Sequence, residues 1–533
     1  MRQRKIMSMI SGLTLAAGVL LAAPAARADE APTPPAEFTT DWHDPVTAAP
    51  PIDTPGTRSC EITLAAAQFR DFTPYKGSYA PPKECGTRWN KVVLRLEGTV
   101  KGRQYDRLGY LTVGGVEILR TSTPEPSPDG IAWSVEKDVT RYRDTLSRPQ
   151  PVEMLIGNVV NETYTGVLDV RVTLTFHTAQ GTVRPAAGTP DRVLPLTDGT
   201  LTTPRNTERI LAEVYATGSG GGCEEFWYLT VPDAAPYSCK ATDGPYREVQ
   251  ISVDGKLAGI AAPFPHVWTG GWSNPFLWYV TPAPRAFDVQ PIVYDLTPFA
   301  ARLNDGRAHR VDVSVAGVPA GQSGWSVPTN VLLWQDEGRA VVTGALDRHE
   351  AGTPRNSAVY TAGSPDRLET TGGHTLTVAG HLDTSHGRVT TTVTRTVGHG
   401  STHRWGADEN PDALTAHWTD DETVTVGRTA TRTHRAYAMD GEITVGADNR
   451  LRTVLTVGDR ASVDVVRDGK RLSWSRLDDT YTGDAAFTLG VPREQRHAVG
   501  TSAERYRRYG SDGCYDRSLK TVQGTLVEDL RRC

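Results

Sequence analysis

The sequence predicts an all-β protein built from sandwiches or jelly rolls, and three observations carry that expectation. KVVLRLEGTV, LDVRVTLTFH, REVQISVDGKLAGI, HRVDVSVAGV, HGRVTTTVTRTV and NRLRTVLTV alternate apolar and polar residues with a period of two. Turn pairs such as Asp254-Gly255 bound these runs, and 51 glycines and 36 prolines supply many further turns. Helical periodicity is scarce, with short helices expected only around Thr140 to Leu146, Leu296 to Leu303 and Ala503 to Arg508. No long internal repeat points to a propeller.

Taken in order, the chain opens with Arg2, Arg4 and Lys5, an apolar stretch to about Ala23 and the small-residue pattern Ala26-Arg27-Ala28. These features make residues 1–28 a secretory signal peptide. No later segment has the apolar length of a membrane helix, so the expected mature protein is secreted and free of the membrane. Its formal charge of −5 comes from 57 basic and 62 acidic residues mixed along the chain, which excludes a nucleic-acid footprint.

At 533 residues the chain is too long for one core, and about three domains are expected. Residues 29–55 read as a Pro-rich linker, 56–178 as a first β domain and 179–206 as a second linker. Residues 207–337 form a second β domain. A C-terminal antiparallel β domain, 338–533, begins where composition shifts toward Thr, Arg, His and Asp. Six cysteines fall into three near-neighbour couples, Cys60 with Cys85, Cys223 with Cys239 and Cys514 with Cys533. An oxidising compartment would close them as disulfides, and no close CxxC or CxH pair supports zinc.

Acids, aromatics and turns coincide in three places. In KGRQYDRLGY, Tyr105, Asp106 and Arg107 stand at the mouth of a strand. An arginine beside that aspartate can keep it ionised as a general base, although a turn-stabilising surface pair is the plainer local reading. In WSVEKDVTRY, Glu136 and Asp138 read first as a strand end running into a capped helical turn, with Glu136 a reserve candidate for substrate contact. In GCEEFWYLTVP, a strand starting at Cys223 would put Glu225 and Trp227 on one face, where a carboxylate beside an indole can grip a sugar ring. A buried aromatic face with an exposed glutamate fits those residues equally. Trp268, Trp272 and Trp278 offer either a sugar-stacking wall or core. His399 and His403 lack a third ligand at telling spacing, so no metal is expected there, and no GxSxG elbow suggests a serine hydrolase.

Together KGRQYDR, GGVEILR, WSVEKDVTRY, IGNVVNETYTG, EEFWY, GPYREVQISVDG and WTGGWSNPFLW resemble the peptide-N-glycosidase A family. Its members are secreted amidases that remove N-linked glycans from asparagine. The resemblance covers about residues 45 to 335, in order and with similar spacing, and includes the Cys60 and Cys85 couple. A remoter similarity to bacterial peptide-N-glycosidase F implies two jelly-roll domains with the active site between them. That similarity implies Asp106 as the main catalytic residue, paired with Arg107, and Glu225 as the supporting acid. A further glutamate and tryptophan of the remote relative fall on Asn158 and Val160, so this chain departs there, although Asn158 stays a candidate contact.

The implied substrates are N-glycosylated peptides or glycoproteins, cleaved at the side-chain amide without metal or organic cofactor. Two other classes stay open: a glycoside hydrolase using Asp106 and Glu225, and a non-catalytic carbohydrate-binding protein. The C-terminal domain either braces the catalytic pair or binds glycan or a cell surface. Oligomeric state has no sequence signal.

Overall fold

The computed structural model describes residues 43–86, 88–127, 129–179, 188–219, 222–267, 274–277, 280–322 and 324–533. The expected signal peptide, the first part of the expected linker, and Trp268, Trp272 and Trp278 lie outside the described residues. Among those described, no helix is long and apolar enough to cross a membrane.

The first unit is a sandwich of two four-stranded antiparallel sheets. One runs Ser59–Phe69, Leu168–Thr178, Trp89–Val100, Ile131–Asp138, and the other Tyr75–Tyr79, Gln150–Ile156, Leu108–Val113, Val116–Ser122. Numbered along the chain these are orders 1-8-3-6 and 2-7-4-5, the jelly-roll arrangement. Alternation dictates the layers: in Leu168–Thr178 the residues Leu168, Val170, Val172, Leu174 and Phe176 are buried.

The second unit repeats that topology. Thr200–Leu201, His309–Ala316, Glu248–Val253 and Lys256–Ala261 form one sheet, and Ile292–Asp295, Thr207–Val214, Thr329–Gln335 and Arg192–Pro195 the other. Setting aside the two-residue pairing of Thr217–Gly218 with Trp325–Ser326, the orders are again 2-7-4-5 and 6-3-8-1. Its first two strands, Arg192–Pro195 and Thr200–Leu201, fall within residues expected to be a linker. Both are edge strands, where proline is tolerated because one side of the strand needs no ladder partner, so their composition hides them.

The third unit is one eleven-stranded antiparallel sheet from Thr343–Ala351 to Thr525–Arg531, mostly a meander of consecutive neighbours. The stretch Ala503 to Arg508, expected as a short helix, lies inside the strand Val499–Gly510, paired on both sides. The other two expected helices exist as single turns, 140–146 and 297–303. The sheet covers the second jelly roll through buried polar and aromatic contacts. Arg285 grips Asp459 with two bonds (2.6 and 2.9 Å), His374 Nδ1 meets Glu248 Oε1 (2.9 Å), and Tyr237 donates to Asp412 (2.8 Å).

Residues 43–53, also expected as linker, form a strap across all three units. His43 N donates to Gly524 O (2.9 Å), Val46 N to Val280 O (2.8 Å), and Ala132 N to Asp44 Oδ1 (2.8 Å). Ala48 is fully buried, with its N–H on Glu504 (3.3 Å). The three expected cysteine couples are all disulfide-bonded, with Cα atoms 5.7, 5.3 and 5.8 Å apart.

Candidate active site

Tyr105, Asp106 and Arg107 lie in the loop that leads into the strand Leu108–Val113. Backbone pairing fixes the loop end: Arg107 N donates to Thr123 Oγ1 (2.9 Å) and Thr123 N to Arg107 O (2.9 Å). The Arg107 guanidinium is held by Gln104 Oε1, which accepts from its Nε (3.1 Å), while Gln104 Nε2 donates to Val159 O and Gly166 O (3.1 Å each). Burial lowers the basicity of Arg107, opposed by the neighbouring charges of Asp106, Tyr164, Glu125 and Tyr105. Tyr105 is pushed up to about 12, chiefly by burial and then by Tyr164 and Glu125. An arginine next to two carboxylates and two phenols stays charged despite its burial. Glu125 escaped the sequence reading because TPEPSP has no periodicity. It follows Thr123, whose pairing with Arg107 brings it beside Tyr105.

The Cys223 stretch differs from expectation in its local geometry. Cys223–Leu229 is a tight helical turn rather than a strand, interrupted at Phe226 (φ −117°, ψ 40°). With three residues per turn, neighbours three apart share a side, so Glu224 goes with Trp227 and Glu225 with Tyr228. Glu224 is the buried acid: Arg247 binds it with two bonds (2.9 and 2.6 Å) and Trp325 Nε1 donates to it (2.6 Å). Glu225 is half-buried, and its charge joins burial in raising the Tyr228 hydroxyl, which donates to His266 O (3.4 Å).

Trp227 therefore does not serve as a sugar platform. It is 2% exposed and packed among Tyr228, Trp325 and Trp418, with centroids 5.6, 6.1 and 5.4 Å away. Asn158 is likewise corrected. It is fully buried, its amide donating to Phe69 O (2.9 Å) and Gly166 O (3.1 Å), so it holds loops together rather than meeting solvent. Glu136 points to the outer face of its strand and pairs with Arg95 (2.9 Å), while its neighbour Lys137 faces inward to Asp288 (2.9 Å).

One strand links the two acidic loops. Val116–Ser122 follows Leu108–Val113 and passes Arg120 into the junction between the jelly rolls. There Arg120 is gripped by Glu117 (2.7 and 3.2 Å) and donates to Thr217 Oγ1 (2.7 Å). Thr217 starts the short pairing whose Gly218 lies so close to Glu224 O that a Cβ there would come within 2.3 Å. His266, whose carbonyl receives Tyr228, is depressed to about 3 by burial and by the charges of Arg285 and Arg120. Asn330 exchanges two bonds with the Glu117 backbone (3.0 and 2.7 Å), and Tyr142 donates to Glu213 (2.8 Å), so this contact between the jelly rolls is made by buried polar groups. Asp106 lies at one end of the strand pair and the Glu225 turn at the side where Arg120 enters.

Among the described residues, the potential metal ligands that converge are Glu208, Asp336 and His386, with atoms within 4.8 Å of one another. Asp336 there already binds the turn Ser385 N and Oγ (2.6 Å each) and Gly338 N (2.9 Å), at the seam between the second jelly roll and the large sheet. His403 is occupied by Asp412 (2.6 Å), a structural pairing.

Residues 45–351, more than half of the chain, match the family described as Peptide N-acetyl-beta-D-glucosaminyl asparaginase amidase A. A similar curated protein is the Peptide-N4-(N-acetyl-beta-glucosaminyl)asparagine amidase A of Prunus dulcis, 32% identical over 340 residues. That match covers 56% of this chain and 58% of the relative, so the chain spans under two thirds of the relative's length. Two crystal forms of PNGF-II are 15% identical, covering 52% of this chain and 65% and 66% of theirs at a TM-score of 0.34, too loose a superposition to transfer residue roles. On its match across 45–351, the chain belongs to the peptide N-acetyl-beta-D-glucosaminyl asparaginase amidase A family.

Proposed function

We propose that this protein is a secreted glycoamidase that hydrolyses the side-chain amide joining asparagine to N-acetylglucosamine in N-glycosylated peptides. The observation that carries the reading is the junction of two identically ordered jelly rolls with an acidic loop at each side, tied together through Arg120. Asp106, beside the Arg107 guanidinium, is the base that takes a proton from water as its oxygen adds to the amide carbon. The charge that develops on the carbonyl oxygen is met by Arg107 or backbone N–H groups, usually a large contribution. Glu225 positions the water or the first sugar. The C–N bond then breaks with protonation of nitrogen, leaving aspartate in the peptide and a glycosylamine that loses ammonia in solution.

Three disulfides support passage through an oxidising compartment, in keeping with export. The test is the mass of the peptide product from a glycopeptide with one glycosylated asparagine. Aspartate at that position, lost in Asp106→Ala, is the expected result. A peptide retaining one N-acetylglucosamine assigns the site to glycoside hydrolysis, and binding without turnover assigns it to a lectin.

A further inference from the structure

With Trp227 buried, the sugar needs another apolar surface near Asp106, and the first jelly roll presents one. Phe72 is 66% exposed, the most exposed large apolar side chain among the described residues, and Val159 nearby is 37% exposed. Phe72 sits in the loop between Ser59–Phe69 and Tyr75–Tyr79, with its ring edge seated on Gly157, where a Cβ would come within 2.5 Å of Cε1. The absent side chain lets the ring lie on backbone while the rest of it faces solvent.

The same short segment carries both this ring and the acidic loop. Gly157 N donates to Leu108 O (3.2 Å), the residue after Arg107, while Asn158 N donates to Asp71 O (3.3 Å) and Val160 N to Arg70 O (3.0 Å). Val159 O in turn accepts from Gln104, the residue that holds Arg107. Phe72 and Asp106 thus flank residues 157–159 within about two strand spacings, roughly 10 Å. Buried Asn158 pins the arrangement from beneath through Phe69 O and Gly166 O.

We propose that Phe72, with the adjacent Asp71 carboxylate, is a stacking subsite for an N-acetylglucosamine ring of the glycan core. This rests on the glycoamidase reading above. An open aromatic face matches the C–H face of a pyranose, and a neighbouring carboxylate accepts from its hydroxyl or acetamido N–H. Asp71 is exposed and oriented by Thr73 N (2.7 Å), so it can serve that role without a burial cost. A ring that is 66% exposed leaves one face open for a sugar ring to stack on.

The test uses N,N′-diacetylchitobiose, which has no scissile amide, titrated by NMR into the full-length protein and into Phe72→Ala and Phe72→Trp. Phe72→Ala is expected to weaken binding roughly 5- to 10-fold and Phe72→Trp to restore it. With glycopeptide, KM should rise by the same factor while kcat stays within about twofold, since stacking is common to ground and transition states. Unchanged chitobiose affinity in Phe72→Ala, no binding by the wild type, or a loss confined to unglycosylated peptide overturns the subsite. Chitobiose binding that depends on Phe72 in a protein that yields no aspartyl peptide upholds the subsite and removes the amidase reading instead.

Discussion

The two jelly rolls share a strand order and differ in what surrounds their acidic loops. In the first, half-buried Asp106 sits in a strand-mouth loop held, through Arg107, by backbone pairing and one glutamine. In the second, the Cys223–Leu229 turn is stapled to Cys239, backed by the Glu224–Arg247 pair and packed under Trp325 and Trp418. Where solvent reaches the loop, side chains contribute little to core packing, and their loss should spare the fold. Where three layers cover it, the same residue types hold the molecule together. Two adjacent glutamates show the division: Glu224 is committed to the core, and Glu225 stays half-buried beside Tyr228.

The sharpest break of this comparison is Asp106→Ala. It should cut kcat/KM with glycopeptide by about 10²–10⁴-fold with an unchanged melting temperature. Next is Glu224→Gln or Arg247→Ala, each leaving half of a fully buried pair. Either should cost about 3–5 kcal/mol, read as a shift of the urea midpoint, with residual activity tracking the folded fraction. A variant at Glu224 that keeps full stability but loses turnover would erase the distinction.

The third effect belongs to the large sheet. Glu504 is raised to about 7, mainly by burial, and shares a hydrogen bond with Asp479, which burial and Glu504 also raise. Folded carboxyls that hold their protons more tightly than unfolded ones contribute stability at acid pH. That contribution is lost as pH rises from the ordinary carboxylate range through about 7, on the order of 1–3 kcal/mol. Denaturation midpoints from pH 5 to 8 should fall accordingly, and Glu504→Gln should flatten the decline. The smallest effect is expected at Glu136→Ala, whose partner Arg95 is also solvent-exposed: under about 1 kcal/mol by thermal melting, with no change in turnover.

Long strands were legible because alternation over eight or more residues leaves one register that buries the apolar set, as Leu168–Thr178 shows. Short elements were not. Four residues after Cys223 cannot separate a period of two from one of three, so the sequence leaves Trp227 open between sugar contact and core, and it lies in the core. Arg192–Pro195 and Thr200–Leu201 are too short and too rich in turn formers to read as strands, yet each completes a sheet edge. Asp106 stands out in the sequence only through the motif around it, while Phe72 carries no signal because its exposure depends on Gly157, a residue far along the chain.

The strap at 43–53 also sets an order of assembly. Its bonds to Glu504 and, through His43 Nδ1, to Leu526 N join residues 456 and 483 positions apart, among the most distant contacts in the chain. Synthesised before either jelly roll, it finds partners in Ala132 and Val280 early, but its bonds to Glu504, Gly524 and Leu526 must wait for the last strands of the large sheet. Because closing so long a loop carries a large entropic penalty, the strap should lock last, after the layers have already met. The first described residues to leave the ribosome would then be the final latch, and nascent chains halted short of the C terminus should show that segment cleaved by protease while the first jelly roll resists.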